Sequence, residues 1–181
     1  MHAAAARLGA TASVVEDSRL ADGADWDPRD VAEIARRGIE RLLEAAGPAS
    51  DRERAEPLIV TFDERGASGH ANHVATFRGL VLLRAAAAAS REDPLSGATF
   101  LRLESAPLVS RFLGALAIPL GIARARCDGR PSLLFTNVNV VAAFRALAAH
   151  RTQLVWFRKL FLVFSVYTFF NRLFELEPDP G

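Results

Sequence analysis

The sequence predicts an α/β protein, a Rossmann-like layered fold with a mainly parallel sheet. Short apolar runs rich in β-branched residues alternate along the chain with longer amphipathic or alanine-rich stretches, an order typical of βαβ units. The run 58–62 is apolar at every position except Thr61, which indicates a fully buried central strand. Half of the 181 residues are hydrophobic, enough to form a core in a domain of ordinary size.

The first half of the chain gives two predicted elements before this strand. Residues 12–16 are a short strand candidate. Asp27 and Pro28 open an amphipathic helix, since proline is favoured in the first helical turn, and Gly47 and Pro48 end it. The charged run 51–54 is interpreted as a solvated surface loop. The apolar face of the helix is formed by Val31, Ile34, Ala35, Ile39, Leu42 and Leu43.

The alternation continues to the C-terminus. Asn137 or Asn139 caps a long C-terminal helix. The resulting order of strands and helices favours right-handed crossovers and parallel strands. After the strand 58–62, the predicted elements are a helix at 72–89, a strand at 98–103, a short helix at 107–116 and a last strand at 132–136.

A loop after the strand 58–62 carries two of the four histidines, His70 and His73. At the start of a helix, residues three apart share a face, and sites in α/β proteins collect beyond the carboxyl ends of strands. One imidazole can therefore bind a metal while the other polarises a substrate carbonyl. The alternative is a pair of loop histidines that only form hydrogen bonds.

The residues around this pair carry a resemblance to a known family. Thr61-Phe62-Asp63, followed by Gly66-Ala67-Ser68-Gly69-His70-Ala71-Asn72-His73, closely resembles the signature Thr-Phe-Asp-x-x-Gly-x-Ser-Gly-His-x-Asn-His of the PIG-L/LmbE-like zinc deacetylases, in the form of their eukaryotic branch. Residues 148–160 are similar to the family's His-Arg-Ser-Gln-Leu-x-Trp-Phe-Arg segment, and 22–27 to its Asp-Gly…Trp-Asp stretch. The three segments follow the family's order.

The resemblance implies an activity and a site. It implies zinc-dependent de-N-acetylation of N-acetylglucosaminyl-phosphatidylinositol, which yields the glucosaminyl lipid and acetate in GPI-anchor biosynthesis at the cytoplasmic face of the endoplasmic reticulum membrane. By this resemblance His73 is the zinc ligand and His70 the catalytic group beside the substrate. Asp63 either orients one of the imidazoles or caps the loop. The substrate-binding residues implied are His150, Asp22 and Arg151.

The sequence also departs from the family. The His-Pro-Asp-Asp-Glu motif that supplies two zinc ligands and the general base does not occur, and Arg65 stands where the family has glycine. We therefore expect the family's first strand and helix to be missing, the zinc ligand set to be incomplete, and the chain as written to have little or no hydrolytic activity. The alternative is a non-catalytic paralogue that binds lipid or a partner at the membrane; a soluble deacetylase of small sugars is a third reading.

Several polar residues have a second, simpler interpretation. His150 can be satisfied by neighbouring side chains, Asp22 can serve a turn, and Ser68, with no base nearby in sequence, is interpreted as a loop hydrogen-bonder. Arg145, Arg151 and Arg158 could bind lipid phosphate or be solvated helix charges. Lys and Arg total 22 against 21 Asp and Glu, so the overall charge gives no reason to expect nucleic-acid binding.

The C-terminal stretch 154–181 is predicted to form an aromatic helix and tail, distinct from a partial deacetylase domain at 1–153. Its uncharged run 160–170 is far shorter than the roughly 20 residues that span a bilayer. A helix in the membrane interface, with Arg158, Lys159 and Arg172 at head-group level, is one reading; a terminal helix docked on the sheet is the other.

Overall fold

The structure, a computed structural model, describes residues 2–46, 56–149 and 156–177. Within these ranges two 3-10 turns, Ser18–Leu20 and Gly114–Leu116, accompany the helices and strands. The helices are α1 (His2–Arg7), α2 (Pro28–Ala46), α3 (Gly66–Gly69), α4 (Ala71–Ala88), α5 (Ala117–Asp128), α6 (Val140–Ala148), α7 (Trp156–Phe164) and α8 (Val166–Phe169). The strands are β1 (Leu58–Phe62), β2 (Thr99–Leu103), β3 (Leu133–Thr136) and β4 (Phe170–Glu175).

The strands form one mixed sheet in the order β1-β2-β4-β3. β1 and β2 are parallel, with Leu58 opposite Thr99, whereas β2 and β4 are antiparallel, with Leu103 opposite Leu173. The prediction of an α/β fold is confirmed, but the prediction of a mainly parallel sheet was wrong. The connection from β2 to β4 contains β3 and several helices, so it is long enough for either strand direction, and the helix–strand alternation of the sequence could not show which one is adopted. The layered Rossmann-like arrangement stays a prediction.

The chain divides into two compact units, one of residues 1–16 and 106–172 and one of residues 17–105 and 173–181. In the second unit α2 packs on α4, and Gly79 of α4 permits the close approach because a Cβ there would lie 2.7 Å from Val31 Cβ. The core of this unit is formed by Val31, Leu80, Leu83, Ala87, Leu95, Ala98, Phe100 and Leu176. In the first unit a smaller core contains Ala117, Val166 and Phe170.

Several elements confirm the sequence pattern. The helix predicted from Asp27 is α2, and the Asp27 carboxylate accepts the backbone N–H of Arg29 at 2.8 Å as its N-terminal cap. α4, β2 and β3 lie within one residue of their predicted bounds. Of the two asparagines proposed as caps, Asn139 begins α6, because its side chain accepts the N–H of Ala142 at 3.1 Å. The predicted helix end at Gly47 and Pro48 and the loop 51–54 lie outside the described residues.

Other elements differ from the sequence predictions. Residues 12–16 form no strand, and Val14 and Val15 are half exposed; their β-branched character has no neighbouring strand to pair with. The stretch 107–116 is mostly turns, and the helix begins only at Ala117. β1 is an edge strand in the sheet order, with Leu58 54% and Val60 53% exposed, so its prediction as a fully buried central strand was wrong.

The aromatic C-terminal stretch is only partly helical. The helical backbone breaks at the buried Ser165, and residues 170–175 form β4 instead of continuing the predicted helix. Phe169, Phe170 and Phe174 are buried, as the docked interpretation expects. The predicted domain boundary after residue 153 falls in the stretch 150–155, outside the described residues, and stays a prediction.

Arg172, placed by the sequence interpretation at head-group level, is instead buried, with 2% of its side chain exposed. Its guanidinium donates to both carboxylate oxygens of Asp128 and, through Nε at 2.9 Å, to Ser132 Oγ. This ion pair also holds the pKa of Asp128 far below its usual range. Arg172 therefore stabilises the first unit and does not contribute to a membrane-facing surface.

Candidate active site

The histidine loop follows β1 and has an unusual backbone. Gly66 N donates to Asp63 O and Gly69 N donates to Arg65 O, each at 2.9 Å, which folds the loop into a tight turn. Gly66 has φ +57°, and a Cβ there would lie 2.8 Å from His73 Cβ. Ala67 has φ +59°, a rare conformation for a residue with a side chain. The loop therefore needs glycine at position 66 and other contacts to hold Ala67.

His73 is held in one orientation by two contacts. Its Nδ1 lies 3.0 Å from the carbonyl oxygen of Gly66. Because a carbonyl can only accept, Nδ1 must carry the proton, and a neutral imidazole then leaves Nε2 with a free lone pair. The ring also stacks on Phe62, with 4.1 Å between centroids and 7° between planes. This is the arrangement that a metal-ligating histidine needs.

His70 has the opposite hydrogen-bonding pattern. It caps α4, since its Nδ1 accepts the backbone N–H of Asn72 at 3.3 Å. In the neutral ring the proton is then on Nε2, which becomes a donor. His70 is exposed, and its ring centroid lies 5.2 Å from that of His73. The structure thus brings together one imidazole that offers a lone pair and one that offers an N–H.

Asp63 is buried directly after β1, with 3% exposed. Its Oδ2 accepts the N–H of Ser105 at 2.6 Å, and its Oδ1 accepts the Ser105 hydroxyl and, at 3.1 Å, the N–H of Arg65. These are the contacts of the loop-capping interpretation. Within the described residues its carboxylate makes no hydrogen bond to His70 or His73, so a direct role in orienting an imidazole stays a prediction.

The described residues were predicted to contribute one ligand, His73, to a metal site. Catalytic zinc sites commonly use three protein ligands. Nowhere in 2–46, 56–149 or 156–177 do three or more His, Cys, Asp or Glu side chains lie close enough to hold a metal ion. The Nε2 atom of His73 fits the role of one ligand, and the expectation of an incomplete zinc ligand set stays a prediction.

The structure places the remaining predicted residues as follows. Asp22 is exposed in a turn closed by Ala24 N and Ala21 O at 3.1 Å, as the simpler interpretation expects. Arg145 is exposed on α6. Ser68 is exposed in the histidine loop. His150, Arg151 and the side chain of Arg158 lie outside the described residues.

An open cleft of about 570 Å³ borders the first turns of α4 in the second unit. It contains an indole from Trp26, whose Nε1 donates to Ala21 O at 3.0 Å, and the guanidinium-bearing Arg78. Ala71 and Val74, which line it, follow His70 and His73 directly in the chain. The other lining residues are Asp25, Asp27, Pro28 and Ala75.

Sequence reasoning missed Ser105 and Arg78. Ser105 follows β2 at the same sheet edge where Asp63 follows the parallel strand β1, and such carboxyl ends meet. The position of Ser105 two residues after the predicted strand 98–103 was therefore a usable signal. Arg78 lies seven residues after Ala71, hence on the same helix face, but no sequence signal marks that face as part of a cleft.

Comparison with known proteins agrees with the geometry. The chain is 34% identical over 163 residues to the N-acetylglucosaminyl-phosphatidylinositol de-N-acetylase of Bos taurus, a match of 88% of this chain and 56% of the relative. The chain is thus similar to a de-N-acetylase of this name over most of its own length. Probable de-N-acetylases of the same name from Schizosaccharomyces pombe and Dictyostelium discoideum are 28% and 24% identical, over 85% and 66% of this chain and 56% and 55% of their own length.

The chain spans little more than half the length of these curated relatives. No family model matches it. The similarity to de-N-acetylases therefore depends on these curated relatives, while the loop geometry shows how the two histidines are held.

Proposed function

We propose that this chain forms the histidine-bearing part of a metal-dependent active site that removes the acetyl group from N-acetylglucosaminyl-phosphatidylinositol. The observation that carries the proposal is the opposite hydrogen-bonding pattern of two neighbouring imidazoles. His73 offers a lone pair from Nε2, and His70, 5.2 Å away, offers an N–H from Nε2. Amide hydrolysis at a metal centre needs both kinds of group.

The two histidines take different parts in this chemistry. His73 is the zinc ligand contributed by this chain. Zinc, when bound, supplies Lewis acidity and lowers the pKa of a bound water. His70 Nε2–H donates to the acetyl oxygen as negative charge develops there, or gives its proton to the leaving amine. The described residues supply one ligand, so the remaining ligands and the general base are not assigned to this part of the chain.

The cleft beside α4 is the proposed place for the polar part of the glycolipid. Trp26 offers an aromatic surface to a sugar ring, and Arg78 offers a guanidinium of the kind that matches phosphate oxygens. We retain His150, Asp22 and Arg151 as substrate-binding candidates from the family resemblance. Arg78→Ala is expected to weaken substrate binding more than it slows turnover. The reason is that its guanidinium would contact the phosphate of the substrate and not the amide that reacts.

A membrane-facing surface fits a lipid substrate. Within the described residues no helix is both long and apolar enough to cross a bilayer. In the first unit, α7 nevertheless exposes Trp156 (73%), Phe161 and Phe164, and Phe112 lies edge-on to Phe161 with 6.3 Å between ring centroids. Exposed aromatic side chains on a short helix are typical of interfacial binding. We propose that this surface contacts the endoplasmic reticulum membrane from its cytoplasmic side.

The test is a chimaera in which this chain replaces the matched region of the Bos taurus relative. We expect release of acetate from N-acetylglucosaminyl-phosphatidylinositol, abolished by a zinc chelator and by His73→Ala, and strongly reduced by His70→Ala. His2→Ala, at an exposed histidine on α1, is the matched control and should leave the rate unchanged. A well-folded chimaera whose activity survives His73→Ala would overturn the proposal.

A non-catalytic role that binds lipid or a partner at the membrane is the second candidate, and the exposed aromatic side chains of α7 fit it without any catalytic group. It predicts that the folded chimaera binds vesicles containing the glycolipid but releases no acetate with any variant. The 181-residue chain alone cannot separate the two readings, because both predict that it releases little or no acetate.

A further inference from the structure

We propose that Ser105 is a positioning residue that selects the tautomer of His73 by fixing one peptide group of the histidine loop. The inference deepens the proposed function, and depends on it only in taking Nε2 of His73 as the atom that faces the metal. The hydrogen-bond arrangement itself is independent of any metal, so it can be tested in the chain alone.

The peptide group that joins Gly66 to Ala67 links the two residues. Its carbonyl oxygen, that of Gly66, accepts from His73 Nδ1 at 3.0 Å. Its N–H, that of Ala67, donates to Ser105 Oγ at 2.8 Å. The C=O and N–H of a trans peptide point in opposite directions. Holding the N–H on Ser105 therefore turns the carbonyl towards His73.

Asp63 determines which way the Ser105 hydroxyl points. The Ser105 hydroxyl donates to Asp63 Oδ1, so its oxygen lone pairs remain to accept the N–H of Ala67. Ser105 is 5% exposed and its own N–H donates to Asp63 Oδ2 at 2.6 Å. Water is thus largely kept from competing, and the direction of the three hydrogen bonds is fixed.

The loop backbone explains why such a clamp is needed. Ala67 has φ +59° and ψ −46°, a region that residues with a Cβ occupy only when their surroundings enforce it. Without the hydroxyl of Ser105, rotation of the 66–67 peptide would relieve this backbone and move the Gly66 carbonyl away from Nδ1. His73 would then be free to place its proton on either nitrogen.

Nitrogen NMR of the full chain with ¹⁵N-labelled histidine, without metal and at a pH of about 8, where an ordinary histidine is neutral, tests this directly. We expect wild-type His73 to show a protonated Nδ1 and a bare Nε2. Ser105→Ala should replace this signature by a mixture of both tautomers, whereas Ser105→Thr, which keeps the hydroxyl, should retain it. Ser68→Ala, an exposed serine of the same loop, should change nothing.

Two results would overturn the proposal: a wild-type His73 protonated on Nε2, or an unchanged signature in folded Ser105→Ala. If that variant does not fold, Ser105→Cys, similar in size but weak as donor and acceptor, takes its place with the same expectation. In the chimaera, loss of the clamp should weaken zinc binding about 10–100-fold. An inactive chimaera with the expected tautomers would refute the proposed function and leave the role of Ser105 intact.

Discussion

The contact between Gly66 and His73 predicts different costs for the same substitution at two glycines of one loop. Gly66→Ala introduces a Cβ at φ +57°, 2.8 Å from His73 Cβ, whereas Gly69→Ala introduces one at φ +79° with nothing within 4 Å. A left-handed backbone costs a residue with a Cβ about 1–2 kcal/mol, and overpacking costs about 1–3 kcal/mol more. We therefore expect losses of about 2–5 kcal/mol for Gly66→Ala and about 1–2 kcal/mol for Gly69→Ala.

Urea unfolding of the full chain, followed by circular dichroism, measures both free energies of unfolding. In the nitrogen spectra Gly66→Ala should also disturb the His73 signature, while Gly69→Ala should not, because only the first clashes with the histidine. Equal losses in stability, together with an unperturbed His73 in both variants, would refute the reasoning that Gly66 is required by its contact with His73.

Three further predictions concern the packing of each unit and the proposed membrane surface. Gly79→Ala in α4 should destabilise the protein by about 1–3 kcal/mol, because its Cβ would clash with α2. Gly38→Ala, which has open space around it, should instead stabilise the protein by about 0.5–1 kcal/mol. Equal effects in urea unfolding would contradict the close approach of the two helices. The ion pair with Arg172 lowers the pKa of Asp128, so its stabilisation is complete above the unfolded-state pKa of about 3.9 and is lost as the pH falls through the folded value. Asp128→Asn should therefore lower the thermal midpoint at pH 7 and flatten the acid dependence of that midpoint below about pH 4. An unchanged acid profile would exclude the ion pair as a cause of the loss of stability in acid. Phe161→Ser should reduce flotation with anionic vesicles while leaving the unfolding midpoint unchanged, and undiminished flotation would argue against α7 as the membrane contact.

The parts of the fold that local sequence determines were predictable. α2 has both a capping Asp27 and a regular apolar spacing, and its start is where the pattern placed it. β2 combines strand-forming residues, and α4 helix-forming residues, with loop residues at both ends. In each of these segments the local preference and the tertiary packing agree, so the sequence pattern alone was sufficient.

The errors occur where long-range pairing decides the structure. Residues 170–175 are aromatic and apolar enough for a buried helix or a strand, and only pairing with β2 selects the strand. Burial of β1 depends on what covers its faces and its free edge, which the run 58–62 does not reveal. Arg172 was misplaced because its partner Asp128 is 44 residues away in the chain.

The candidate site was predictable in its residues but not in its geometry. The spacing of His70 and His73 and the family resemblance identified the pair. No pattern could show that His73 donates to Gly66 while His70 accepts from Asn72, since the tautomers follow from hydrogen bonds that the loop backbone creates. Asp63 was named with two possible roles, and its contacts with Ser105 became visible only in three dimensions.

Anomalous diffraction at the zinc absorption edge, from crystals of the zinc-loaded chimaera, tests the central claim most directly. The account predicts an anomalous peak about 2.0–2.1 Å from Nε2 of His73, the ordinary zinc–nitrogen distance, with His70 beside it and not bound through Nδ1. A peak on Nδ1 of His73, a peak away from both histidines, or no peak in a folded and zinc-saturated crystal would contradict the assignment of His73 as the metal ligand of this chain.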